Sequence, residues 1–253
     1  TKVPMFITHA KGIELDGTHP TFLTAYGGFN VNLTPSFSAR VAVWLENGGV
    51  YAVPNLRGGG EFGEAWHRAG MLENKQTVFD DFIAAAEFLV DNGYTATEKL
   101  AIRGGSNGGL LVTAVMTQRP DLYGAVVCTY PLIDMVRYHK FLVGSTWTPE
   151  YGSADEPDQF EFIHAYSPYQ HVVEGTDYPA TLFITGDGDT RVAPHHARKM
   201  TALMQAATGS EEPIILRYHT KAGHSGGQPL SEQIDNLTET MQFLFWRLGV
   251  AER

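Results

Sequence analysis

One serine of this sequence stands between glycines where a strand pattern changes into a helix pattern. Residues 100–112 read Leu-Ala-Ile-Arg-Gly-Gly-Ser-Asn-Gly-Gly-Leu-Leu-Val, with Ser106 at the centre. Glycine on both sides leaves room for a sharp strand-to-helix turn, where larger side chains would collide with their surroundings. The hydroxyl then lies at the amino end of a helix, whose free N–H groups favour the negative charge of an acyl-transfer intermediate. A phosphate-binding loop would need a lysine or a longer glycine pattern, so we interpret Ser106 as a nucleophile.

A serine nucleophile needs a base and an acid that orients the base, and in hydrolases of this layout the acid comes next along the chain. A strand pattern over 180–185 ends in Gly-Asp-Gly-Asp, so Asp187 and Asp189 compete for this role. Taken singly, either aspartate could simply cap the following turn.

The base is expected after the next strand pattern, over 213–218. His224 lies beyond it in a glycine-flanked loop that can bend back toward the serine, whereas its rival His219 directly abuts the strand. His224 is therefore the natural base. The order serine, acid and histidine, each after an apolar strand, supports the triad more than any single residue does.

Elements that could position these residues alternate along the chain. With 253 residues, 43% of them hydrophobic, the chain can bury one large core. The alternation predicts a single α/β domain with a mostly parallel central sheet and helices on both faces. Strands are expected around 3–8, 22–26, 50–53, 100–103, 125–129, 181–185 and 213–218, and helices over 80–92, 110–118, 194–207 and 232–248.

Composition narrows the function classes. The net charge is −10 and no basic stripe is present, which disfavours nucleic acid as a partner. No stretch approaches the roughly 20 apolar residues of a membrane span, so we expect a soluble protein, cytoplasmic or periplasmic. The lone Cys128 lies in an apolar run and is interpreted as core packing.

No metal or cofactor is expected. His195 and His196 are adjacent, which should point them apart on a helix, and no His-Glu-x-x-His or paired-cysteine spacing occurs.

Five segments together resemble the peptidase domain of the prolyl oligopeptidase family, an α/β-hydrolase fold. They are Tyr-Gly-Gly-Phe-Asn at 26–30, Asn-Leu-Arg-Gly-Gly-Gly-Glu at 55–61, Gly-Gly-Ser-Asn-Gly-Gly at 104–109, Asp-Thr-Arg-Val at 189–192 and Ala-Gly-His at 222–224. The nucleophile motif alone indicates only an α/β-hydrolase, whereas the ordered set is much more specific. The similarity extends from residue 1 to about 248.

The resemblance implies a serine peptidase that cleaves on the carboxyl side of proline through an acyl-enzyme. Ser106 would attack the scissile carbonyl, His224 would carry the proton, and Asp189 would orient the imidazole, chosen over Asp187 by the Arg-Val that follows it. The oxyanion donors would be the Tyr26 hydroxyl and the backbone N–H of Asn107. Both would strengthen as the carbonyl oxygen becomes negative.

A pocket for the proline ring is implied as well. Trp147 resembles the family tryptophan that stacks on the ring, and Arg191 resembles the residue that holds the preceding peptide carbonyl. The other lining residues would be Phe29, Leu132, Tyr151 and Val192. Without the resemblance, Trp147 would be read as ordinary aromatic core packing.

The chain also departs from the family. Gly188 and Thr190 stand where close relatives carry histidine and aspartate, although neither change removes a catalytic group. The family's β-propeller and first peptidase strand are absent from residues 1–253, so 3–8 would leave an exposed sheet edge for self-association or pairing. Two alternatives stay open: an esterase acting on small acyl esters, and a peptidase-domain fragment that is inactive without its missing segments.

Overall fold

The computed structural model describes residues 1–220, 222–224 and 229–250. Seven strands of this part of the chain form one sheet. All seven coincide with the predicted strand segments, and their observed bounds are β1 Met5–Thr8, β2 Thr21–Thr24, β3 Val50–Pro54, β4 Leu100–Gly105, β5 Ala125–Thr129, β6 Ala180–Gly186 and β7 Ile214–His219.

The order of strands across the sheet is β1-β3-β2-β4-β5-β6-β7. β1 runs antiparallel to β3, and every other neighbouring pair is parallel, which confirms the predicted mostly parallel sheet. The carboxyl ends of β2, β4, β6 and β7 therefore lie along one edge. Ser106, both candidate aspartates and both candidate histidines are at or beyond these ends. β1 is an edge strand, and no further described strand pairs with its outer side.

The helices are α1 Ala39–Glu46, α2 Glu64–Arg68, α3 Gln76–Asp91, α4 Asn107–Gln118, α5 Thr148–Tyr151, α6 Pro157–Tyr166, α7 His195–Ala207 and α8 Leu230–Leu248. The four predicted helices correspond to α3, α4, α7 and α8. The other four span ten residues or fewer, too short to show several repeats of an apolar face.

The spacing that predicted α3 also determines its packing. Phe82, Ala86 and Leu89 are fully buried and Ala85 is nearly so, because positions three and four apart share one helix face. Beyond the helix, Gly93 adopts φ 73°, the left-handed conformation expected of a terminating glycine.

Two hydrophobic layers sandwich the sheet, because successive strand residues point to opposite faces. Leu100 and Ile102 of β4 join α3, α4 and α7 in the larger layer. Ala101 between them joins α1 and α8 in the smaller layer. Helices thus cover both faces, as predicted.

The same alternation buries Cys128 of β5 in the larger layer, as the sequence indicated. Burial raises the pKa of its thiol well above the usual value. None of the described helices is long and apolar enough to cross a membrane.

Candidate active site

Ser106 occupies the turn between β4 and α4 in a conformation that L-residues rarely adopt, with φ 58° and ψ −117°. Its N–H donates to the carbonyl of Thr129 at the end of β5, at 2.9 Å, and its own carbonyl accepts from Gly109 N at 2.9 Å. A side chain at Gly104 would overlap the Gly108 carbonyl oxygen, so this tight turn requires glycine. Strained backbone of this kind costs about 1–3 kcal/mol and is typical of functional sites.

Asp189 and His224 lie together at the same edge. His224 Nδ1 is 2.7 Å from Asp189 Oδ2, and the Asp189 side chain is completely buried. The other carboxylate oxygen, Oδ1, accepts from the backbone N–H groups of Arg191 and Val192, both at 2.9 Å. The carboxylate is therefore fixed on both oxygens, and one of them is directed at the imidazole.

The rival residues lie in different surroundings. Asp187 accepts a hydrogen bond from the Tyr218 hydroxyl at 2.5 Å in an exposed position. His219 is the last residue of β7, and its Nε2 is buried with no hydrogen-bond partner among the described residues. Among the candidate aspartates and histidines, Asp189 and His224 are the two that combine a buried carboxylate with an imidazole in hydrogen-bond contact.

The His224 ring packs against the ring of Tyr130, which follows β5. The two rings lie 5.6 Å apart between centroids, and Tyr130 directly follows Thr129, the residue that holds the Ser106 N–H. The imidazole and the serine are thus both anchored on the carboxyl end of β5.

Tyr26, which follows β2, faces the serine as well. Burial raises the pKa of Tyr26, while the Ser106 side chain and the positive charge of Arg191 lower it. The Tyr26 phenol therefore interacts with both the Ser106 side chain and the Arg191 charge.

Asn107 is the first residue of α4, so its N–H has no acceptor within the helix. Its side chain donates from Nδ2 to the Tyr26 carbonyl at 2.5 Å. The two expected oxyanion donors are consequently tied to each other.

The expected pocket residues share one packing cluster. Leu132, Tyr151 and Val192 are buried in the larger core layer, and the partly buried Phe29 and Trp147 pack against it. The Phe29 and Tyr151 rings meet edge to face, with centroids 5.4 Å apart. Leu132 also donates its N–H to the Ser106 carbonyl at 3.5 Å, which links the cluster to the serine turn. Arg191 is exposed.

A buried ion pair that the sequence reasoning missed lies behind this cluster. Lys75 is 1% exposed, and its Nζ lies 3.8 Å from Glu150 Oε1. Burial lowers the pKa of Lys75 to about 8, although Glu150 opposes that shift. Lys75 Nζ donates to Gly27 O at 2.9 Å and to Asn107 Oδ1 at 3.4 Å. No periodicity distinguishes this lysine, because it precedes α3 in an otherwise polar stretch.

Each oxygen of the Glu150 carboxylate has a hydrogen-bond partner besides Lys75. Glu150 Oε1 accepts the N–H of Phe29 at 2.9 Å, and Oε2 lies 2.8 Å from His67 Nε2. The neighbouring Tyr151 donates its hydroxyl to Asn107 Oδ1 at 2.6 Å. The ion pair and these hydrogen bonds therefore connect the loop after β2, the start of α4 and Tyr151 of the aromatic cluster.

The expectation for His195 and His196 was wrong in geometry, because their rings stack at 5.0 Å rather than pointing apart. His195 is the first residue of α7, where no preceding helical turn occupies the adjacent space. His196 is buried and accepts the N–H of Asp134 at 3.1 Å, and burial lowers its pKa to about 3. Within the described part of the chain, no group of three or more His, Cys, Asp or Glu side chains could hold a metal ion.

Comparison with known proteins identifies the family of this chain. The family model described as "Prolyl oligopeptidase family" matches residues 35–251. The chain belongs to the prolyl oligopeptidase family. The recognition made from the sequence motifs is thereby confirmed, as is the α/β-hydrolase fold.

Relatives within the family match nearly the whole chain. A prolyl endopeptidase of Elizabethkingia miricola is 46% identical over 251 residues, which cover 99% of this chain and 36% of that protein. A structure from a study of two prolyl endopeptidases has a TM-score of 0.97 and 55% identity, covering 99% of this chain and 37% of the other. Prolyl oligopeptidase B of Galerina marginata, bound to a 35-residue hydrolysis and macrocyclization substrate, has a TM-score of 0.96 and 39% identity, covering 100% of this chain and 36% of that one. The chain thus spans about a third of the length of these relatives.

The ion pair generates a prediction about stability. Glu150→Gln keeps the size of the side chain but leaves the Lys75 charge buried without its anion, so we expect a loss of about 3 kcal/mol in the free energy of unfolding. Urea denaturation measures this. Glu239→Gln breaks the exposed pair with Arg217 and should cost less than about 1 kcal/mol. Equal losses in the two variants would contradict a structural role for the buried charge.

Proposed function

We propose that this chain is a serine peptidase domain that hydrolyses peptide bonds on the carboxyl side of proline, with Ser106, His224 and Asp189 as its triad. The observation that carries the proposal is the buried Asp189 carboxylate bonded to His224 Nδ1, beside a strained serine turn, in a member of the prolyl oligopeptidase family. The specificity for proline follows the names of the relatives.

In the proposed reaction, Ser106 Oγ attacks the carbonyl carbon of the proline residue while His224 Nε2 takes the hydroxyl proton. The bond to the leaving nitrogen then breaks, and the imidazolium returns the proton to that nitrogen. His224 next takes a proton from water, whose oxygen attacks the ester carbon; the bond to Ser106 Oγ then breaks, and the imidazolium returns the proton to Oγ as the acid is released. Asp189 holds the Nδ1 proton throughout, which fixes the tautomer and stabilises the imidazolium.

The negative charge on the carbonyl oxygen would be stabilised by the Tyr26 hydroxyl and the Asn107 N–H. Such donors lower the barrier only if they are in place before the charge develops, because reorganising them would consume the gain. The bond from Asn107 Nδ2 to the Tyr26 carbonyl and the contacts of Lys75 support this preorganisation.

The proline ring would bind among Trp147, Phe29 and Tyr151, with Leu132 and Val192 completing the pocket. A rigid, apolar imino-acid ring gains contact with aromatic faces at little entropic cost. Arg191 would hold the carbonyl that precedes the proline. Its exposure and its electrostatic influence on Tyr26 support a position at the mouth of the site.

Ser106→Ala should reduce turnover of a proline-containing peptide amide by about 10⁶-fold and abolish labelling by a serine-directed phosphonate, with an unchanged circular dichroism spectrum. Ser231→Ala, at the exposed start of α8, is the matched control and should retain activity. Hydrolysis of simple acyl esters without any amide turnover would instead favour the esterase. A folded wild-type chain that is neither active nor labelled would favour the inactive fragment.

The two aspartates provide a second test. Asp189→Asn should lower kcat by about 10⁴-fold, because the amide favours the wrong imidazole tautomer. Asp187→Asn should change kcat little, since it only replaces the acceptor of an exposed hydrogen bond from Tyr218. Steady-state kinetics of both variants decide the assignment, and the reverse order of effects would make Asp187 the triad acid.

The pocket provides a third test. Trp147→Ala should reduce kcat/KM for cleavage after proline by about tenfold or more, and cleavage after alanine much less, because alanine makes little ring contact. Trp246→Ala, on α8 with 60% of its surface exposed, is the control and should affect neither substrate. If the losses for the two substrates are equal, Trp147 only packs the fold.

A further inference from the structure

Phe29, one of the residues expected around the proline ring, has a left-handed backbone conformation that bulky L-residues rarely adopt. Its φ is 57°, and the φ of the next residue, Asn30, is 56°. Asparagine tolerates positive φ, whereas the larger phenylalanine is strained there. Such a conformation persists only where the surrounding structure holds it, so the position of the Phe29 ring depends on what fixes its backbone.

The contact that fixes this backbone comes from a distant part of the chain. The N–H of Phe29 donates to Glu150 Oε1 at 2.9 Å, across 121 positions of sequence. The next N–H, that of Asn30, donates to the Gly58 carbonyl at a longer 3.3 Å. Hydrogen bonds to an ionised acceptor are about twice as strong as neutral ones, so the carboxylate contributes most to holding Phe29.

Glu150 lies on α5, the short helix beside the other aromatic residues expected in the pocket. Trp147 immediately precedes α5, and Tyr151 is its last residue. The Tyr151 ring meets the Phe29 ring edge to face, with centroids 5.4 Å apart. The Glu150 carboxylate thus joins the backbone that carries one aromatic side chain to the helix that carries the others.

The carboxylate can define the place of Phe29 because its own place is fixed. The Glu150 side chain is 5% exposed, and its Oε1 also lies 3.8 Å from Lys75 Nζ. Its Oε2 lies 2.8 Å from His67 Nε2. Since both oxygens have partners, the side chain is locked in one geometry, as a group that supports a binding site must be.

We propose that Glu150 is a positioning residue for substrate selection, whose carboxylate holds the Phe29 backbone so that the Phe29 ring packs against a bound proline. This inference rests on the proposed function, in which Phe29 and Trp147 line the proline site. The effect is on selectivity, because a proline ring reaches Phe29 and an alanine side chain does not. The contacts of Lys75 with Asn107 are a separate matter, since an oxyanion site acts on every substrate alike.

Two double variants isolate the hydrogen bond to Phe29. Both contain Lys75→Met, so that neither leaves a buried charge without its partner. In the first, Glu150→Gln keeps a carbonyl oxygen that accepts the Phe29 N–H. In the second, Glu150→Met has a similar length but offers only a thioether, which is a weak acceptor. The two variants are matched in charge and nearly matched in size.

The measurement is the ratio of kcat/KM for two peptide amides that differ only in having proline or alanine before the scissile bond. Effects on the triad or the oxyanion donors alter both substrates alike and cancel in this ratio. The ratio should stay within about twofold of the parent value in Lys75→Met/Glu150→Gln and fall about fivefold or more in Lys75→Met/Glu150→Met.

Amide hydrogen exchange, followed by NMR, shows whether the effect acts through Phe29. Its N–H should remain protected in the glutamine variant and exchange faster in the methionine variant. Apolar residues in place of a buried ion pair are often neutral or stabilising, so both variants should fold, which urea denaturation checks. Glu150→Leu takes the place of Glu150→Met if the methionine variant does not fold.

Equal ratios in the two double variants would overturn the proposal. A lower ratio in the methionine variant with the Phe29 amide still protected would overturn it as well, because the loss would then arise elsewhere, such as at His67. Failure of the proposed function has a different signature: the parent chain itself would cleave neither peptide, or both equally, and this inference would fall with it. A parent chain that prefers proline, with a methionine variant that prefers it as strongly, contradicts only the role of Glu150.

Discussion

Lys75 and Glu150 hold opposite charges inside the protein, and the geometry around the serine depends on this pair. Lys75 reaches the Gly27 carbonyl and the Asn107 side chain, while Glu150 holds the N–H of Phe29. The loop after β2 is thereby fixed at two points to the start of α4 and to α5. Taking these charges out of water costs several kcal/mol, so the pair stabilises the site only because nearly every donor and acceptor in it is matched.

The parallel sheet supplies the coarse placement that this network refines. Neighbouring strands that run in one direction bring their carboxyl ends to one edge, so residues 80 or more positions apart meet there. Ser106 follows β4, Asp189 follows β6 and His224 follows β7, so all three lie at the same edge of the sheet. The sheet sets the position of these residues, and hydrogen bonds set the orientation of the Asp189 and Asn107 side chains.

How much could be predicted from the sequence depended on whether the signal was local. Ser106 and α3 were predictable because a glycine-bracketed turn and an apolar repeat lie within a dozen residues. Lys75 was not, because its partner Glu150 is 75 positions away and nothing near either residue distinguishes it from a surface charge. The stacking of His195 on His196 was missed for a different reason: spacing along a helix gives the direction of a side chain but not the space available to its ring.

Two buried cationic sites among the described residues differ in whether an opposite charge offsets the burial of the cation. At Lys75 the chain supplies a carboxylate, carbonyl oxygens and an aromatic face, and the charge becomes part of the framework. At Arg40 and Arg103 the described chain supplies burial without an anion. The charges at Arg40 and Arg103 are therefore a cost to the stability of the described chain, because burial is not offset by an opposite charge.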